Sequence, residues 1–225
     1  MIKSYAKVNL FLKVYKLKGK YHKIKSLFTI VENLYDEIVI NKNKLKMDKI
    51  KCNIKKLETE NFIYKVLEIL RKHKVIKNFY SITLKKNIPL GSGLGGGSSN
   101  AISVAKAFTN NKKILKKIAK KIGMDCYFFI KEFNTAYVKG YGNRVYKRRT
   151  RVIIKKENLI FTNIEVDTKL VYSQFDKIES WKNRKEQNML TIPALSLYPE
   201  LVKFANLGFM SGSGSTFIKN NKNKP

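Results

Sequence analysis

One stretch constrains this chain more than any other: "IPLGSGLGGGSSNA", residues 88 to 101, with five glycines, three serines and no charge. Before it, "FYSITL" (79 to 84) has the β-branched and aromatic content of a strand. After it, Ala101, Val104, Ala105 and Phe108 recur at helical spacing. A flexible linker has no reason to stand between a strand and an amphipathic helix. Glycines let backbone N–H groups crowd toward a ligand, because no Cβ blocks the approach. The helix starting near Ser98 adds its unpaired N–H groups and the positive end of its dipole. Strand, bare loop and helix start together make a cradle for an anion such as phosphate.

Several phosphate sites are excluded at once. A Walker loop needs Lys after its glycines, and none follows here. Gly91, Gly93 and Gly96 spell GxGxxG, but a dinucleotide fold places the glycines directly after the strand, with an acid about 20 residues on. Here "KKNIP" intervenes, and no Asp or Glu occurs between Gly91 and Met124. The protein-kinase partners VAIK, HRD and DFG are absent.

Elsewhere the chain reads as mixed α+β. Residues 4 to 15 alternate, with Ala6, Val8, Leu10, Leu12 and Val14 on one face and Lys7, Asn9, Phe11, Lys13 and Tyr15 on the other, a half-buried strand. A turn is expected around 18 to 21, then an apolar run "SLFTIVENL" and a separate strand "DEIVI". Asn61 caps a helix carrying Phe62, Val66, Ile69 and Leu70. A further helix holds Ile114, Leu115, Ile118, Ala119 and Ile122 and stops at Gly123. Short strands are expected in "AYVKGYG", "RVIIK" and "LIFTNIEV", a helical stretch near 195 to 206, and a frayed tail over 219 to 225. The expected organisation is two lobes, 1–148 and 149–225.

The formal net charge is +31, from 47 Lys and Arg against 16 Asp and Glu. A balance this basic raises nucleic acid as a partner. The lysines are scattered along the whole chain, however, and no finger or aromatic RNP-type motif accompanies them. The charge is read as a solvated surface that draws in a small polyanion, with no specific nucleic-acid partner. Apolar runs are too short for a membrane span, the start lacks a signal peptide, and the two cysteines suit a reduced cytoplasmic protein.

The glycine stretch resembles the phosphate loop of the GHMP kinases, Pro-x-x-x-Gly-Leu-Gly-[Ser/Gly]-Ser-Ser-Ala. Three more stretches are similar to the 4-diphosphocytidyl-2-C-methylerythritol kinase family within that superfamily: "AKVNLFLKV" at 6 to 14 with "KYH" at 20 to 22, "GMDCYFFI" at 123 to 130, and "MSGSGSTFI" at 210 to 218. The resemblance implies an α+β, two-lobed GHMP fold: an N-lobe resembling the ribosomal-protein S5 domain 2-like fold, and a ferredoxin-like C-lobe, shortened at its end. It implies transfer of the γ-phosphoryl group of ATP, with Mg²⁺, to a cytidine-diphosphate-linked small molecule, by a monomer or weak homodimer. Lys7 and Asp125 match the family's catalytic pair. Pro89, Leu90, Gly91, Ser92, Gly93, Leu94, Gly95, Gly96, Gly97, Ser98 and Ser99 match the ATP loop, with Mg²⁺ reached through Ser99. Asn61 and Lys86 match nucleotide-side positions. Asn9, Tyr21, His22, Phe28 and Tyr172 match the substrate side. Tyr127 stands where the family has Pro, and Asn143 where it has Glu. Asp125 also suits a simple N-cap for "CYFFI". Two alternatives stand beside this reading: a GHMP kinase for another alcohol, and a basic nucleic-acid-binding protein.

Overall fold

The structure is a computed structural model that describes residues 1–17, 19 and 21–220. The expected turn at 18 to 21 and the tail beyond 220 therefore lie partly or wholly outside the described residues. The chain runs β1 (Ile2–Val14), β2 (Ile24–Asn43), β3 (Lys49–Cys52), α1 (Phe62–Lys72), β4 (Phe79–Lys85), α2 (Gly96–Lys106), α3 (Lys112–Ile122), α4 (Cys126–Lys131), β5 (Thr135–Gly140) and β6 (Arg144–Lys147). Then come β7 (Leu159–Ile160), α5 (Thr168–Lys177), α6 (Thr191–Leu197), α7 (Val202–Ala205), β8 (Gly208–Met210) and β9 (Phe217–Lys219).

The first sheet is organised by β2. It pairs antiparallel with β1 from Val14↔Ile24 to Ile2↔Ile38, with β5 along its first residues and with β4 along its last. The two apolar segments expected as separate strands are therefore one strand of 20 residues. No Gly or Pro interrupts them, and cross-strand partners lie on both sides of Val31–Leu34, where the register with β1 shifts. Helices α1 to α4 cover one face of this sheet. Their apolar stripes, among them Val66, Leu67, Leu70, Val104, Ala105, Leu115 and Ile118, close on Ile38, Ile82 and Leu84.

The expected alternation of β1 fails at its centre. Ala6, Lys7, Val8 and Asn9 are all buried. Register irregularities lie between Tyr5 and Lys7 and between Asn9 and Phe11, so they bracket this segment. Bulges re-aim side chains and cluster beside functional sites. Here they accompany a strand covered on both faces. Ala6 and Val8 pack with Ile88, Leu94 and Ile218, while Leu12 and Val14 join Val171, Phe175, Leu190 and Phe217. The strand is thus common to both lobes.

The second lobe holds a three-stranded sheet, β7-β9-β8, among the described residues. "LIFTNIEV" contributes only two strand residues, and "RVIIK" only the bridge Val31↔Ile154. Beyond these positions the two segments join no ladder, and Ile153 is exposed. The helical stretch near 195 to 206 is broken at Pro199, which cannot donate the next helical hydrogen bond.

Candidate active site

The glycine loop, the start of α2, mid-β1, the start of α4 and the "MSGSGSTFI" loop meet around one cleft of about 910 Å³. Lys7 stands at its centre with its side chain only 4% exposed. Its ammonium donates to Asn9 Oδ1 at 2.7 Å and Gly93 O at 2.8 Å, and lies 3.1 Å from Asp125 Oδ2. These acceptors use the three donors an ammonium carries. The Phe28 ring lies beside it, 4.8 Å from Nζ to the centroid. Asn9 is fixed in turn, donating from Nδ2 to Ser26 Oγ at 3.0 Å.

Asp125 precedes α4 but makes no side-chain capping bond. Its carboxylate is 36% exposed, so one side faces Lys7 while the other stays open to the cleft. The simple N-cap reading of Asp125 does not describe this geometry.

The glycines serve contacts inside the protein as well as ligand approach. Gly95 caps α2 in the left-handed region at φ +69°, and a Cβ there would lie 3.0 Å from Lys7 Cε and 3.4 Å from Asp125 Oδ2. Gly93, at φ +71°, allows the loop to meet the second small-residue loop: a Cβ would stand 2.6 Å from Ser211 O. Pro89 and Leu90 begin the cleft wall, which runs on through Gly91, Ser92, Leu94, Gly96, Gly97 and Ser98.

Ser99 is not in that wall. It is buried, and its hydroxyl accepts from Ser4 Oγ at 2.7 Å, while its neighbour Ser98 lines the cleft. Lys86 lines the cleft but is bound from below by Asp36, which is fully buried. Asp36 also accepts from Asn87 N at 2.8 Å, Ile88 N at 2.9 Å and Asn100 Nδ2 at 2.8 Å. This network, which the sequence did not flag, supports the entry to the loop. Asn61 caps α1 as expected, accepting from Ile63 N at 3.1 Å, and lies in the cleft wall with Phe62.

At the other end, Phe28 and Tyr172 line the cleft. Burial, reinforced by the charge of Asp125, pushes the Tyr172 hydroxyl well above the usual tyrosine range. His22 lies against the Tyr172 ring with centroids 5.1 Å apart, and its Nε2 is 2.9 Å from Asp176 Oδ1. Tyr21 is half exposed and outside the cleft wall. Of the departures, Tyr127 is buried in the helical core, and Asn143 accepts from Tyr141 N at 3.2 Å in the β5–β6 turn. Neither touches the cleft. Among the described residues no helix is long and apolar enough to cross a membrane.

Comparison with known proteins bears on this geometry. Residues 61–132 match the model for the GHMP kinases N terminal domain. The 4-diphosphocytidyl-2-C-methyl-D-erythritol kinase of Ureaplasma parvum serovar 3 is 35% identical, over 97% of this chain and 94% of the relative. A crystal structure of 4-(cytidine 5'-diphospho)-2C-methyl-D-erythritol kinase superposes with a TM-score of 0.74 at 27% identity, covering 98% of this chain and 89% of that one. A mevalonate kinase crystal structure, at 16% identity, gives 0.59 over 98% and 91%, and shows the shared fold alone.

Proposed function

This chain belongs to the 4-diphosphocytidyl-2-C-methyl-D-erythritol kinase family, and from that premise we propose how its cleft moves the γ-phosphoryl group of ATP to the tertiary 2-hydroxyl of the cytidine-diphosphate-linked alcohol, a step of non-mevalonate isoprenoid synthesis. The observation that carries the reading is Asp125: a carboxylate paired with Lys7 at 3.1 Å, open on one side, under the glycine loop.

Phosphoryl transfer asks for positioning, charge neutralisation and a destination for the hydroxyl proton. The loop from Pro89 to Ser98 and the N-terminus of α2 hold the phosphates through backbone N–H groups. Asn61 and Lys86 border the nucleotide end and Asn9, Phe28 and Tyr172 the alcohol end, while His22 packs against Tyr172 and, like Tyr21, is not in the cleft wall. Asp125 accepts the proton of the attacking hydroxyl as the new O–P bond forms. The bond from the γ-phosphorus to the bridging oxygen breaks, and ADP leaves with the electron pair. Lys7, held by Asn9 and Gly93, fixes the Asp125 carboxylate in place at 3.1 Å and offsets charge on the transferring oxygens. Among the described residues no group of three or more His, Cys, Asp or Glu side chains is placed to hold a metal ion. The donor set therefore fits a magnesium ion carried by the nucleotide's phosphates, with Ser98 and Asp125 as the nearby cleft oxygens; when bound it would neutralise phosphate charge.

The reading includes a monomer or weak homodimer acting in the cytoplasm on a small-molecule substrate, with the lobes 1–148 and 149–225 on either side of the cleft. The test offers purified protein ATP and Mg²⁺ with the cytidine-linked alcohol, then with mevalonate or homoserine, and measures ADP release. Turnover confined to the cytidine-linked alcohol is expected. Equal turnover of another alcohol would overturn the reading.

A further inference from the structure

One buried carboxylate reaches both ends of the glycine loop. Asp36 lies within β2 and is fully buried. At the entry to the loop its Oδ1 accepts from Asn87 N at 2.8 Å and Ile88 N at 2.9 Å. Past the loop its Oδ2 accepts from Asn100 Nδ2 at 2.8 Å, about one turn into α2. Ser4, opposite Asp36 on β1, extends this second tie: Asn100 Nδ2 also donates to Ser4 Oγ at 2.9 Å, and Ser4 Oγ donates to Ser99 Oγ. Asp36 Oδ2 also holds the Lys86 ammonium, which lies against the first residue of α2, 3.0 Å from where a Gly96 Cβ would stand. A helix N-terminus carries partial positive charge and repels an ammonium. Asp36 supplies the negative charge that lets the two stand together. Between its two ties the backbone has positive φ at Gly91, Gly93 and Gly95. Glycine has the most conformational freedom of any residue, so a loop of this kind with slack ends would sample many shapes.

We propose that Asp36 is a positioning residue for the nucleotide: it ties the phosphate loop at both ends, so that ATP meets a cradle already set. This rests on the reading of the loop as the ATP phosphate site. A loop held in its binding shape has less freedom to lose when the phosphates arrive, and the apparent Kd rises in proportion as the competent fraction falls. Asp36 acts from beneath the cleft. Lys86 and Asn100 line the wall, and Asp36 stands behind them.

The experiment measures calorimetric Kd for ATP, KM for ATP and for the cytidine-linked alcohol, kcat and the thermal midpoint. The variants are Asn100→Ala, Asp36→Asn, and Asp36→Asn combined with Asn100→Asp. Ile118→Val, in the same helical core but off the network, is the control for lost stability. Asn100→Ala cuts only the second tie and keeps the Asp36–Lys86 pair and the entry bonds. It should raise Kd and KM for ATP roughly tenfold, with little change in KM for the alcohol or in kcat at saturation. Asp36→Asn keeps an acceptor for the entry N–H groups but sets amide donor against amide donor at Asn100, and should weaken ATP at least as much. The double variant exchanges donor and acceptor. Its carboxylate then stands where Asn100 Oδ1 now lies 3.4 Å from Lys86 Nζ, and most of the ATP affinity should return. Ile118→Val should lower the midpoint and leave KM for ATP unchanged. Parental ATP affinity in Asn100→Ala, an equal loss in Ile118→Val, or a folded double variant without recovery each overturns the inference while the kinase reading stands. If Asp36→Asn does not fold, Asn100→Ala still decides. A parent that binds no ATP overturns both.

Discussion

Replacing Gly95 by alanine probes the point where loop and catalytic pair meet. The residue sits at φ +69° and ψ +19°, where a Cβ costs roughly 1–2 kcal/mol of backbone energy. The new methyl would also lie 3.0 Å from Lys7 Cε, 3.2 Å from Lys7 Cγ and 3.4 Å from Asp125 Oδ2. Lys7 has little room to yield. Its ammonium is tied to Asn9, Gly93 and Asp125, and its backbone N–H donates to Leu94 O at 3.0 Å. A displacement of a few tenths of an ångström must therefore pass into the pair. A shift of about 1 Å at reacting groups costs about 10² in rate, so Gly95→Ala should lower kcat by roughly threefold to tenfold. Stability should fall by about 1–2 kcal/mol in a urea titration. Gly97→Ala, whose Cβ would instead meet the Phe62 ring at 3.2 Å, should act on KM for ATP. The assay is ADP release under saturation of each substrate in turn. If Gly95→Ala keeps the parental kcat and raises only KM for ATP, the glycine serves ligand approach and the clearance argument is wrong.

Asp125→Asn should lower kcat by about 10² or more while calorimetric ATP binding stays near the parental value; a near-parental rate would remove Asp125 from the role of base. Asp36→Asn breaks a buried pair whose side chains are 0% and 3% exposed, and should cost about 3–5 kcal/mol in urea, partly recovered by adding Lys86→Met. No recovery would mean that Asp36 acts through the bonds it accepts from Asn87 N and Ile88 N alone. Burial pushes the Cys126 thiol from 9.0 up to about 12. Its contribution to stability is then intact below pH 9 and lost as pH rises toward 12, because the unfolded thiol ionises first. Thermal midpoints should fall over that window, less steeply in Cys126→Ala, and equal slopes would refute the assignment.

What was legible in the sequence was local. The Asn61 cap, the apolar stripes of α1, α2 and α3, the stop at Gly123 and the strand after residue 78 depend on neighbours within a few positions, and each stands where its chemistry puts it. What was not legible depends on distant segments. β2 reads as two pieces until its partners run past the join, and α5 turns only Val171 and Phe175 inward, too sparse a stripe to read as periodic. The sequence showed Ser98 and Ser99 as equals at a helix start; Ser4, on β1, separates them by donating to the hydroxyl of Ser99. Lys86 reads as a free cation until Asp36 is seen beneath it.

Lys7 shows why the site could be named from sequence but its geometry could not. In an alternating strand it belongs to the wet face, and nothing nearby says otherwise. Its burial is imposed by Gly93 from the loop, Asp125 from α4 and Phe28 from β2. An ammonium enclosed this way is tolerable only because each donor has an acceptor, one of them charged. That requirement runs in both directions. Without Asp125 the ammonium would be short of a charge partner, and without Lys7 the carboxylate would lose the ammonium that holds it at 3.1 Å. Substituting either partner should therefore disturb the other, and Lys7→Met combined with Asp125→Leu should restore stability that each single change removes while restoring no activity.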